Sequence, residues 1–222
     1  MKENFSDKIP SDSRVGHAAR HSIKSADLFL HRPVGVFLIC LFLFELTVWT
    51  FVPALKIDFQ FNDEAAELLN NAHVNSGLSW QNLHWALFSL DFGNWYPLRW
   101  ISHMLDFEIF GTDPWGHHLT NVLLHAANGV LLFLVLKRMT GALWRSLIVA
   151  SLFALHPLRV ESVAWISERK DVLSAFFGLL TLLMYAKYVS GKSLQSSIIS
   201  HQSTVIGLQS GIGRLEKLIT DH

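Results

Sequence analysis

The chain has 222 residues, half of them hydrophobic, with 16% charged residues and a single cysteine. Soluble domains usually carry about a quarter charged residues, so a disordered chain is disfavoured, and 18 basic against 18 acidic residues speak against nucleic acid as partner. Cys40 alone excludes an intramolecular disulfide framework and a cysteine-based zinc site.

Residues 1–32 are polar and of mixed charge and read as a cytoplasmic tail. Val34 to Val52 is almost purely apolar and about long enough to cross a bilayer as a helix. It follows a long polar tail and lacks a small-residue cleavage site, which separates it from a removable signal peptide. Further apolar runs at 119–136, 144–165 and 172–189 predict an all-α polytopic membrane protein with about four transmembrane helices. Module 33–190 is expected to hold the spans, and 191–222 to be a separate tail. Glu45, alone in the first span, needs a partner or a proton, and His125 is a candidate partner.

Charge assigns an orientation. Ala54–Trp115 holds eight acids and two bases, whereas Lys137, Arg138 and Arg145 stand in a loop without acids. By the positive-inside rule the N-terminus and the 137–145 loop are cytoplasmic, and loops 54–115 and 166–171 are outside. In the large loop, Asp63–Val74 reads as a first helical piece with acids at its start. Ser79 is a plausible N-cap for a second piece, and a third runs from Pro97 to Gly111. Five of the eight tryptophans lie here (Trp80, Trp85, Trp95, Trp100, Trp115). They suit helices lying on the outer leaflet, or stacking against a sugar or lipid.

Polar residues within the spans are more specific. His118, Asn121, His125 and Asn128 share one helix face, which must meet protein or a wet cavity. Interhelical hydrogen bonding alone would explain the stripe. No carboxylate joins it, so no metal is expected there. Pro157 interrupts the third span, placing His156, Arg159 and Glu161 in its outer half, and Glu168-Arg169-Lys170-Asp171 follows. The expectation is that the stripe, His156, Glu161, Glu168 and Asp171 line a cavity, while Arg159, Arg169 and Lys170 hold a lipid phosphate. A loop carboxylate, Asp63 or Glu64, would then act as general base on an acceptor hydroxyl.

Three stretches carry a resemblance: FNDEAAELLNNAHVNSGLSW, the run NWYPLRWISHMLDFEIFGTDPWGHHLTNVLLHAANGVLLFLVLKRMTGALWRS, and LFALHPLRVESVAWISERKDVLSAFFGLLTLLMYAKYV. From about Phe59 to Val189 they resemble the N-terminal membrane module of bacterial tetratricopeptide-repeat membrane proteins. Those proteins are related to the transmembrane and tetratricopeptide-repeat O-mannosyltransferases of the GT-C superfamily. His156–Ser174 is the most specific stretch. The resemblance implies transfer of a sugar such as mannose from a polyprenyl-phosphate donor to an extracytoplasmic protein or glycan acceptor, at a bacterial inner membrane and without a cofactor. It implies that Asp63 matches the first acid of a paired-acid motif and Glu64 replaces the second. Tyr96 and Arg99 depart from the family pattern. Family members continue with more spans and with repeats, whereas residues after about Lys192 are Ser- and Gln-rich. The chain is therefore expected to be the front of a longer enzyme, truncated or frame-shifted. A non-catalytic membrane scaffold is the alternative.

Overall fold

A computed structural model describes residues 30–59, 68–90 and 93–191, and among these there are helices and turns but no strand. The polar tail up to residue 29, the Asp63–Glu64 pair and the tail from 192 lie outside the described residues. The fold is all-α and polytopic, with three helices long and apolar enough to cross a membrane and a fourth, bent pair.

Helix α1, Pro33–Phe51, starts on a proline whose missing N–H costs nothing at that position. A 3-10 turn, Val52–Lys56, extends it to a 24-residue segment. At 1.5 Å per residue that is about 36 Å, enough for the bilayer core. Its buried positions Gly35, Ile39, Leu43, Thr47 and Phe51 recur every fourth residue and form one seam. Thr47 satisfies its hydroxyl on the Leu43 carbonyl at 2.7 Å.

A layer of short helices follows. Asn71 caps α2, Ala72–Asn75, by accepting from the His73 N–H. Helix α2 begins at that cap, and the start of the expected first piece, with its acids, lies outside the described residues. Ser79 caps α3, Trp80–Phe88, through the Asn82 N–H, as its position foretold. Helix α4, Pro97–Phe110, ends at Gly111, whose φ of 62° and ψ of −134° suit only a residue without a Cβ. The tryptophans divide here: Trp100 is fully buried, whereas Trp80 is 86% exposed.

Helix α5, Pro114–Thr140, is the axis of the molecule, capped by Asp113 and closed by Gly141. It packs on α1, on α4 and on the broken span. That span consists of α6, Leu143–Leu155, a 3-10 turn Pro157–Arg159, and α7, Val160–Ala164, with a bend of 52°. Pro157 cannot continue the ladder of α6, and the His156 ring accepts from the Leu158 N–H instead. A second 3-10 turn, Ile166–Glu168, runs directly into α8, residues 169–191. The loop expected at 166–171 is thus shorter, and its charges open a helix. Turn and α8 make the last apolar segment, Ile166–Gly191, which buries little of its surface against the other described residues.

The described residues form three apolar clusters, two of which include α5. Ile39, Leu43, Phe133, Leu143, Ala150 and Ala154 join α1, α5 and α6. Phe51, Val122, Val163 and Val172 fill the middle. Phe59, Leu68, Trp100, Met104, Phe107 and Ile166 bind the layer of short helices to the 3-10 turn before α8.

Candidate functional site

Successive residues of a helix point about 100° apart, and this disperses the charges at the head of α8. The Lys170 ammonium pairs with Glu168 at 2.6 Å at the edge of the fold, and Asp171 accepts from the Ser162 hydroxyl of α7 at 3.4 Å. Arg169 turns inward and is fully buried.

The Arg169 guanidinium organises the junction of α4, α5 and α8. Its Nε donates to Asn121 Oδ1 at 2.7 Å, its Nη2 to the His117 carbonyl at 2.6 Å, and its Nη1 to the Asp106 carboxylate and to Ser102 Oγ. Asp106 also accepts from Thr120 Oγ1 at 2.8 Å. Asp106 lies on the face of α4 that buries Trp100, His103 and Phe107, at helical spacing. An acid on that face was a legible signal, yet Asp106, His103 and His117 were not singled out from sequence. Arg169, expected as a phosphate contact, has its donors committed inside the protein. A phosphate could reach it only by dismantling this network.

Beside Asp106 lie two buried imidazoles. His117 donates from Nε2 to the Gly111 carbonyl at 3.1 Å, and its Nδ1 lies 3.6 Å from the Asp106 carboxylate. His103, from α4, is fully buried. Burial, followed by the charges of Arg169 and Arg99, holds its pKa well below the usual imidazole range, so the ring is neutral at pH 7. Phe107 and Phe59 pack edge-on against His117, with ring centroids 4.6 and 5.4 Å away.

The stripe on α5, expected to line a cavity, is buried in helix packing among the described residues. His118, Asn121, His125 and Asn128 are all at most 2% exposed. Asn121 donates to the Val163 and Trp165 carbonyls, His125 Nε2 to Ala154 O at 3.0 Å, and Asn128 to Val172 O at 2.8 Å. For Asn121 and His125 the physical reason is the broken span. Breaking a helix orphans carbonyls, and inside a membrane these must find donors from protein. His125 is so engaged, and it does not meet Glu45, which is exposed on α1.

Two open grooves remain near the cations. The first, about 410 Å³, has apolar walls from Trp95, Leu98, Leu173 and Phe177, with Lys170 among the lining residues. The second, about 460 Å³, contains His156 and Arg159, whose guanidinium stacks on Phe153 at 4.4 Å. Arg159 and Lys170 are thus placed in separate grooves. Glu161 is exposed on α7, and Glu168 is half-buried. Phe59 and Leu68, which bracket the segment carrying Asp63 and Glu64, both belong to the apolar cluster around Trp100.

Over 162 residues the chain is 34% identical to the protein O-mannosyl-transferase Tmtc2 of Drosophila melanogaster, covering 68% of this chain and 17% of that protein. It is a relative of the Tmtc O-mannosyl-transferases. The Xenopus laevis tmtc2 protein is 35% identical over 155 residues and human TMTC2 is 33% identical over 147 residues. The chain spans less than a fifth of the length of these relatives, 17–18%. No family model matches the chain, and no solved structure matches it.

Proposed function

We propose that this chain is the membrane module of a glycosyltransferase that takes a sugar, mannose in the first instance, from a polyprenyl-phosphate donor. The acceptor is a hydroxyl of a protein or glycan on the side of the membrane that carries the α2–α4 layer. The groove between the start of α4 and the first turns of α8 carries this reading. Its walls, Trp95, Leu98, Leu173 and Phe177, suit a polyprenyl chain, and Lys170 stands among them as a point charge for its phosphate. Similarity to O-mannosyl-transferases supports the choice of sugar.

Arg159, in the neighbouring groove, is positioned for a second phosphate or headgroup contact. Arg169 acts from behind, fixing the backbone that carries Lys170. Asp63 is the general base toward the acceptor hydroxyl and Glu64 its supporting carboxylate; the flanking residues Phe59 and Leu68 belong to the apolar cluster around Trp100. With the acidic layer outside, the N-terminus is cytoplasmic by the positive-inside rule.

The test is binding of a fluorescent polyprenyl phosphate to the purified chain in nanodiscs. Lys170→Ala is expected to weaken it at least about 10-fold, as loss of one charge-assisted contact would. Leu173→Trp, which fills the groove, is expected to abolish it. Unchanged binding in both variants refutes the assignment.

A further inference from the structure

His103, Asp106 and His117 form a cluster that the reading above leaves unused. One ligand atom from each lies within 4.8 Å of the others, and all three residues are buried. Because the Gly111 carbonyl can only accept, the His117 Nε2 carries that ring's hydrogen in the neutral form. Its Nδ1 is then a lone pair, and it faces a carboxylate oxygen of Asp106 at 3.6 Å. Arg169 already donates to that same carboxylate oxygen, so it is the His117 Nδ1 that is buried without a hydrogen-bond partner. Both ring nitrogens of His103 are buried without a hydrogen-bond partner. A proton on His117 would serve the first pair and leave His103 unserved. A metal ion serves all three groups.

We propose that His103, Asp106 and His117 bind one divalent transition-metal ion, with zinc the ion whose preferences the donor set fits. Two imidazoles and one carboxylate are a borderline-soft set that suits zinc over magnesium or calcium. A tetrahedral ion about 2.1 Å from each ligand needs ligand atoms about 3.4 Å apart, so the longest separation must close by about 1 Å through side-chain rotation of the two imidazoles. The surroundings of His117 and Asp106 match those of bound ligands. The second nitrogen of His117 donates to a backbone carbonyl, fixing its tautomer, and Asp106 is held by Thr120 and Arg169 while keeping acceptor positions free. The positive charge of Arg169 opposes a second cation. The Asp106 carboxylate, which lies against both Arg169 and His117, offsets part of this charge. The absence of a metal expected from sequence rested on the α5 stripe, where His125 is engaged with Ala154 O. His103 and Asp106 come from α4.

The experiment uses the full chain, purified without a histidine tag, stripped with a chelator and titrated with Co²⁺ and then Zn²⁺. One Co²⁺ per chain with the visible absorption of a four-coordinate site is expected, bleached by zinc. His103→Met removes a ligand but no hydrogen bond, and is expected to weaken Co²⁺ binding at least about 10-fold. Zinc is also expected to raise the melting temperature of the natural chain and not that of His103→Met. His73→Ala, a histidine of α2 outside the cluster, is expected to leave the titration unchanged. Absence of stoichiometric Co²⁺ binding, or an unchanged titration in His103→Met, overturns the proposal.

Discussion

Replacing Arg169 with methionine tests the architecture most directly. The guanidinium is fully buried and donates to Asp106, Asn121, Ser102 and the His117 carbonyl, so methionine fills a similar volume while removing every one of these bonds. Asp106, 2% exposed, keeps only the Thr120 hydroxyl. Removing one partner of a buried ion pair costs about 3–5 kcal/mol, most of it the charge left stranded. Arg169→Met with Asp106→Leu strands no charge and is expected to recover most of the loss, since an apolar exchange of a whole buried pair is often close to neutral. Lys170→Met is the control, because the Lys170–Glu168 pair is partly solvated, with side chains 29% and 24% exposed. Such pairs contribute about 0–1 kcal/mol. The assay is reversible unfolding by SDS in mixed micelles containing a chelator, followed by tryptophan fluorescence. The reasoning fails if Arg169→Met lies within about 1 kcal/mol of the natural chain, or if the double variant is no more stable than the single one.

Asn121→Ala removes donors from the Val163 and Trp165 carbonyls and the acceptor of Arg169 Nε, and is expected to cost about 1–3 kcal/mol in the same titration. Gly116→Val places a Cβ against the Phe110 ring at the α4–α5 corner. Overpacking of that kind costs about 1–3 kcal/mol, and limited proteolysis between α4 and α5 is expected to accelerate.

Much of the fold is legible because its signals are local. Ser79, Pro97 and Gly111 each mark a helix end through their own backbone chemistry. Pro157 likewise announces the break in the third span. The seam of α1 could not be read, since a helix apolar all round gives no pattern to distinguish a lipid face from a protein face. The polar stripe of α5 was visible, but its partners are backbone carbonyls, which have no signature in side-chain sequence. Arg169 misled for a related reason. Within Glu168-Arg169-Lys170-Asp171 it looked like one member of a surface patch, and its true partner Asp106 is 63 positions earlier. Only the start of a helix directly after Glu168 turns that one charge inward.

The bent span also bears on how the chain enters a membrane. Alone, α6 to α7 would carry bare carbonyls and a charged Arg159 into lipid, a segment that a translocon would retain poorly. Asn121 and His125, which supply the donors for Val163, Trp165 and Ala154, lie on α5, synthesised immediately beforehand. The order of synthesis therefore delivers a hydrogen-bonding template before the segment that depends on it. A chain in which the two were exchanged in order, with every final contact the same, would present the broken helix to lipid with nothing to receive it.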